Sequence, residues 1–335
     1  MTPETESRID FGRILWFAGF LLLILAALLG TKSDVTMTGV ESSRMALVQS
    51  LADHGTSCID QSFFRTLDQG IVDGKRFSDK PPLLSVTGAG IYALLKCCGI
   101  SFETHYSLTV YLVTLLLMLP VNVLIVLTAW RILRIALPDA PEPYRITGAF
   151  LTVFSTLVWS YSVTFNNHTP AALMILLLAL VLLEPGFAPS KRALLAGLCA
   201  AVLGTLEYVL GGAFGLAGAA YFAWKRDWRS CGIFCGAGAA GVILAGVLNY
   251  CNHGSALPLY LATHNPSVVG KNLLHYAWDI LFGCKGMFLF TPALLWVFFA
   301  AGKEERDPAK PFLLGAMGLT VVLYWFGSSD LGGWC

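Results

Sequence analysis

The chain has 335 residues, 56% of them hydrophobic and 13% charged, where soluble domains carry about 25% charged residues. That balance excludes an ordinary soluble domain, and a formal net charge of +1 gives no support to nucleic-acid binding. In a lipid-embedded chain the side on which each charge lies matters more than the sum, so the charges are read by position.

The first apolar run, Ile14–Gly30, is long enough to cross a hydrocarbon core, which takes roughly 17–25 residues. Thr31-Lys32-Ser33-Asp34 follows it in place of a small-residue cleavage site, so it reads as a retained anchor. A polar stretch then runs from Asp34 to Lys80. It opens with Asp34 and with Thr38-Gly39-Val40-Glu41-Ser42-Ser43-Arg44, where Val40, Leu47 and Leu51 share one helical stripe. This pattern predicts an interfacial helix lying on the membrane surface. Thr38 and Glu41 have capping-box spacing and Arg44 lies three residues on, so a structural carboxylate fits Glu41. A general base held at the lipid surface fits it as well.

Asp73-Gly74-Lys75-Arg76-Phe77-Ser78-Asp79-Lys80-Pro81-Pro82 comes next. The prolines suit the first turn of a helix, with Ser78 or Asp79 as its cap. Lys80 would stand at the positive end of that helix with Lys75 and Arg76 near by, which suits a phosphate or an anionic lipid surface.

Further spans free of Asp, Glu, Lys and Arg are Tyr106–Trp130, Ile146–Phe165, Gly232–Asn249, Gly286–Ala301 and Pro311–Gly327; helix is the only open-chain structure that lipid allows. Asn167–Leu183 and Ala193–Trp224 are weaker. The positive-inside bias decides how they run. Basic residues gather at Arg8 and Arg13, at Arg131, Arg134 and Arg145, at Lys191 and Arg192, at Lys225, Arg226 and Arg229, and at Lys303, Arg306 and Lys310. Placing all of these inside requires Ala193–Trp224 to go out and return, with Glu207 at the outer turn. It also requires Pro82–Cys98 to begin and end outside as a juxtamembrane helix. The fold expected is an all-α, polytopic transmembrane bundle of about eight crossings, forming a single domain. Residues 31–105 and 250–285 form its outer loops, in a cell membrane with the chemistry on the outer face. The chain stops just after its last span, so a missing C-terminal region is expected.

Glu207 is an intramembrane acid and a candidate site residue. His168, after Asn166 and Asn167 and before Thr169-Pro170, serves as a helix cap or as a metal ligand. His253, His264 and His275 match no compact metal spacing. Lys285 is another cation at headgroup depth, a snorkelling anchor or a ligand. The Asn167-His168-Thr169 glycosylation sequon abuts the membrane and is discounted. Cys97, Cys98, Cys199, Cys231 and Cys235 act as small hydrophobes, and a bridge among Cys58, Cys251, Cys284 and Cys335 stays open.

At Glu41-Ser42-Ser43-Arg44 and at Asp73 to Pro82 the sequence resembles the GT-C superfamily of membrane glycosyltransferases, in the branch of the protein O-mannosyltransferases and lipid A aminoarabinose transferases. The resemblance covers roughly Ile14 to Glu207, and Phe288-Leu289-Phe290-Thr291-Pro292 and Gly332 to Trp334 match loosely. It implies transfer of a sugar from a polyprenyl-phosphate donor to a lipid, glycan or protein acceptor on the outer face. The catalytic acid falls on Glu41 or Asp34, the phosphate-gripping lysine on Lys80, and Asp79 on the acid beside it, which contacts a divalent metal in some relatives. Relatives often carry an Asp-Glu pair in the first loop, where Val40 precedes Glu41 here. The competing expectation is a transporter or flippase, which predicts broken helices near the midplane and an inverted repeat, neither visible in the sequence. An assembly scaffold would tolerate loss of Glu41 and Lys80.

Overall fold

The computed structural model of the chain describes residues 3–36, 38–259, 278, 281–283 and 309–328. In chain order these form α1 (Pro3–Gly30), α2 (Gly39–His54), β1 (Gln69–Val72), β2 (Lys75–Ser78), α3 (Leu83–Cys97) and α4 (Tyr106–Ala136). They continue with α5 (Glu142–Phe154), α6 (Leu157–Ser162), α7 (His168–Leu183), α8 (Pro189–Leu206), α9 (Tyr208–Trp224), α10 (Trp228–His253) and α11 (Ala309–Ser328). The protein is mostly helical. Among the described residues three segments are long and apolar enough to cross a membrane: Phe11–Gly30, Tyr106–Ala136 and Trp228–His253. Leu83–Cys97, His168–Leu183, Tyr208–Trp224 and Ala309–Leu323 are shorter apolar helices. The predicted span Gly286–Ala301 lies outside the described residues.

An all-α chain was the expectation, and the antiparallel pair β1 and β2 departs from it. Asp73 (φ 50) and Gly74 (φ 76) sit in the left-handed region between the Val72 and Lys75 partners. An Asp-Gly pair with both residues at positive φ is the turn whose twist matches a two-residue hairpin. Ser78, expected to cap α3, instead meets the Ser43 hydroxyl at 2.7 Å, and Pro82 stands at the N-cap of α3 with no side-chain cap bond.

The surface helix predicted after Thr38 is also corrected. α2 is buried on every side from Glu41 to Ser50. It packs on α3, and Met45, Leu47 and Val48 join Leu84, Tyr92, Phe102 and Phe165 in one core. Some of its polar groups are bonded internally: the Ser42 hydroxyl donates to the Val35 carbonyl at 2.9 Å, and Gln49 Oε1 accepts from the Ser62 hydroxyl at 2.8 Å. Burial of those groups is tolerated because each has a partner, whereas Ser50 Oγ has none among the described residues.

The single helix expected over Ile146–Phe165 is broken. The Ser155 hydroxyl donates to the Leu151 carbonyl at 2.6 Å, while Thr156 Oγ1 accepts from Val158 N at 3.1 Å and caps α6. Hydroxyls that offer the backbone such alternatives end helices. The reversal expected at Glu207 is present, with that residue extended (φ −144, ψ 102) between α8 and α9. Small residues let the helices close on one another. A Cβ on Gly197 would meet Ala237 Cβ at 2.7 Å, and Cβ atoms on Gly211 and Gly241 would overlap the backbones of Gly204 and Ala201. Gly197 with Ala201, and Ala237 with Gly241, thus make small-xxx-small pairs across α8 and α10.

Ion pairs fix which helix ends lie together. Arg131 Nε and Nη2 each donate to the Glu184 carboxylate at 2.9 Å, and Arg192 Nη2 donates to the Glu184 carbonyl at 2.8 Å. Trp130 Nε1 donates to Glu142 Oε1 at 2.8 Å. The C-terminal ends of α4 and α7 therefore meet the N-terminal ends of α5 and α8. The other end collects the C-terminus of α1, the N-terminus of α7, the α8–α9 turn, the C-terminus of α10 and the β hairpin. Most of the length of α8 (Pro189–Leu206), about 22 Å at 1.5 Å per residue, separates basic Arg192 from Glu207.

Candidate functional site

α2 carries Glu41 and Arg44 into the hairpin end of the bundle. Arg44 is 2% exposed. Its Nη2 donates to Asn167 Oδ1, while Nε and Nη1 have no hydrogen-bond partner among the described residues. Burial lowers its pKa to about 10, opposed by the charges of Glu207, Asp79, Asp68 and Glu41. One buried guanidinium thus sits in the field of four carboxylates.

Asn167 bridges two elements. Its Nδ2 donates to the Leu206 carbonyl at 2.6 Å and to Glu207 Oε1 at 2.6 Å. The same Glu207 oxygen lies 3.0 Å from His168 Nδ1, and the half-exposed His168 ring packs edge-on against Tyr161. Neighbouring Tyr208 donates its hydroxyl to Asn249 Oδ1 at 3.0 Å, tying the turn to α10.

Glu41 is 6% exposed, and its two oxygens lie 3.4 and 3.3 Å from Lys32 Nζ. The capping box expected with Thr38 does not form: the Thr38 hydroxyl donates to the Val35 carbonyl at 2.9 Å and makes no cap bond. Asp34 stands apart. It is exposed, and Oδ1 accepts from Thr36 N and from the Tyr106 hydroxyl, both at 2.9 Å. Those bonds hold its carboxyl below the usual carboxylate range, the Thr36 N–H most of all. Asp34 and Glu41 therefore do not form a pair.

Lys80 lies 3.1 Å from Asp68 Oδ2 and 3.3 Å from Asp79 Oδ1. Burial pushes the Asp79 carboxyl up despite the ammonium beside it. Lys75 and Arg76, expected beside Lys80, are carried elsewhere by the strand. Lys75 is exposed at the hairpin turn, and Arg76 Nε donates to Asp60 Oδ1 at 2.6 Å. Asp79 and His168, the metal candidates, sit in separate pairs, and among the described residues no group of three His, Cys, Asp or Glu side chains could hold a metal ion. His253 Nε2 meets the Leu257 carbonyl at 2.9 Å. Lys285, His264 and His275 lie outside the described residues, as do Cys284, Cys335 and the segments at Phe288 and Gly332.

The structure therefore gathers Glu41, Arg44, Asp79, Lys80, Glu207 and His168 at one end of the bundle, and leaves Asp34, Lys75 and Arg76 outside that cluster. Three partners were missed: Lys32, Asp68 and Asn167. Asn167 could have been found as a polar residue ahead of an apolar helix, at the same depth as Glu207. Asp68 carried no local signal. Compared with protein-family models, curated proteins and solved structures, the chain matches none.

Proposed function

We propose that the chain is a membrane glycosyltransferase of GT-C type, moving a sugar from a polyprenyl-phosphate donor to an acceptor hydroxyl on the outer face of a cell membrane. The observation that supports this most is Arg44, a buried cation with Nε and Nη1 unbonded among the described residues, in the field of Glu41 and of Asp79, the carboxylate that pairs with Lys80. A guanidinium edge and an ammonium suit a phosphate leaving group, and a nearby carboxylate suits proton abstraction.

In the reaction the Glu41 carboxylate takes the proton of the acceptor hydroxyl. The acceptor oxygen forms a bond to the anomeric carbon as the bond from that carbon to the phosphate oxygen breaks. The polyprenyl phosphate leaves with the electron pair, and Lys80 and Arg44 stabilise its charge. One displacement inverts the anomeric centre. Glu207, through Asn167, orients Arg44.

About eight crossings, with the basic loops inside and the hairpin end outside, go with this assignment. The grouping of Arg131 and Arg192 around Glu184, away from Glu207, supports it. The test is incubation of purified protein with radiolabelled polyprenyl-phosphate sugars. Transfer to an acceptor, or slow hydrolysis in its absence, is expected. No release of polyprenyl phosphate from any donor would overturn the assignment, and movement of intact donor between leaflets would favour a flippase.

A further inference from the structure

The hairpin end carries more negative than positive charge before any substrate arrives. The carboxylates of Glu41, Asp68, Asp79 and Glu207 surround Arg44, while the only cations bonded into the described cluster are Lys32, Arg44 and Lys80. A phosphate entering this partly buried site would add charge of the wrong sign, which is costly unless an anion already there gives way.

Asp68 is placed to give way. It lies in the loop before β1, with its carboxylate 3.1 Å from Lys80 Nζ and 31% exposed. The same carboxylate sits against the start of α2, where a Cβ built on Gly39 would lie 3.2 Å from Asp68 Cγ, Oδ1 and Oδ2. The Asp68 backbone is held independently: its carbonyl accepts from the Ser43 hydroxyl at 2.5 Å and its N–H donates to Thr66 Oγ1 at 3.0 Å. The Thr66 hydroxyl in turn donates to the Gly39 carbonyl at 2.8 Å. Loss of the Lys80 contact would therefore leave the loop docked and the carboxylate at the positive end of a helix dipole, a favourable place for an anion.

We propose that Asp68 is a resident counter-ion for Lys80 that the donor phosphate displaces onto the α2 N-terminus, so that it sets donor affinity and is a positioning residue for the reaction. The proposal rests on the glycosyltransferase assignment above. It also links the two halves of the site, because the turn that receives Asp68 carries Glu41.

Titration of the full chain in detergent with farnesyl phosphate tests it, with farnesol as the uncharged control. Asp68→Asn is expected to bind farnesyl phosphate about fivefold more tightly than wild type, with farnesol binding unchanged and Lys80→Ala weakening the phosphate alone. Gly39→Ala keeps every charge but crowds the place that receives the displaced Asp68 carboxylate, so weaker farnesyl phosphate binding, with farnesol unchanged, is expected. If Asp68 merely caps α2, Asp68→Asn lowers the melting temperature and does not tighten binding, which overturns the proposal. Should Asp68→Asn fail to fold, Gly39→Ala alone decides, with unchanged or tighter binding counting against. Equal binding by wild type and Lys80→Ala would instead remove phosphate from Lys80, and the glycosyltransferase assignment would fall together with the proposal.

Discussion

Arg44 is the residue on which the site turns, because a guanidinium with so little solvent depends on its few fixed partners. Asn167 is one of them, so Asn167→Leu removes a bond from Arg44 and one from Glu207 at once. Leaving buried polar groups short of a partner costs about 1–3 kcal/mol each. A lower melting temperature for Asn167→Leu than for the exposed Lys75→Ala is expected, and equal values would contradict the bridging role. Asp79 gives a pH signature. Its folded carboxyl titrates above 3.8 because burial penalises the charged form. Folded protein therefore holds the proton more tightly than unfolded chain, and stability falls as pH rises through that window. Asp79→Asn does not titrate, so its melting temperature relative to wild type should rise as pH is raised through and above the ordinary aspartate range; a difference that stays flat would contradict the sign. At this scale Glu207 was legible as an acid within a greasy run, and Glu41, Arg44 and Lys80 as charges in the polar stretch after the first span. Asp68 and Lys32 were not, because both join the site through folding of the loops and not through any local spacing.

Elements differ in how far pattern alone defines them. The breaks at Glu207 and Ser155 show the contrast: a lone acid in a greasy run was conspicuous, whereas Ser155-Thr156 resembles the hydroxyl residues that many spanning helices absorb. α2 was misread for a tertiary reason. Ser42, Ser43, Arg44, Gln49 and Ser50 look like a wet face, yet the loop before β1, the hairpin and α3 cover them, and that loop supplies partners for Ser43 and Gln49. The hairpin itself had its signal in Asp73-Gly74, a pair suited to a two-residue turn. Packing of α8 on α10 makes an element-level prediction. A Cβ at Gly241 would overlap the Ala201 backbone, whereas Gly238 faces open space. Gly241→Ala should destabilise by about 1–3 kcal/mol, while Gly238→Ala should be neutral or stabilise slightly through lost chain entropy. Thermal unfolding in one detergent checks both, and a harmless Gly241→Ala would contradict the close approach.

For the whole molecule, the basic clusters carried more information than hydropathy. They required α8 and α9 to reverse at Glu207, and the contacts of Arg131 and Arg192 with Glu184 group the basic ends as that logic demands. α7, α8 and α9 have 16, 18 and 17 residues, about 24–27 Å of helix, short of the roughly 30 Å of a typical hydrocarbon core. In the proposed function this local thinness brings the Glu41 and Lys80 cluster to headgroup depth, where a lipid phosphate resides. The most direct test compares Glu41→Gln with Asp34→Asn in release of polyprenyl phosphate from the sugar donor. Loss of a general base costs about 10²–10⁴-fold, so Glu41→Gln should fall by at least about 100-fold while exposed Asp34→Asn stays within about threefold of wild type. Retained turnover in Glu41→Gln, with or without loss in Asp34→Asn, would contradict the placement of the chemistry at this buried cluster.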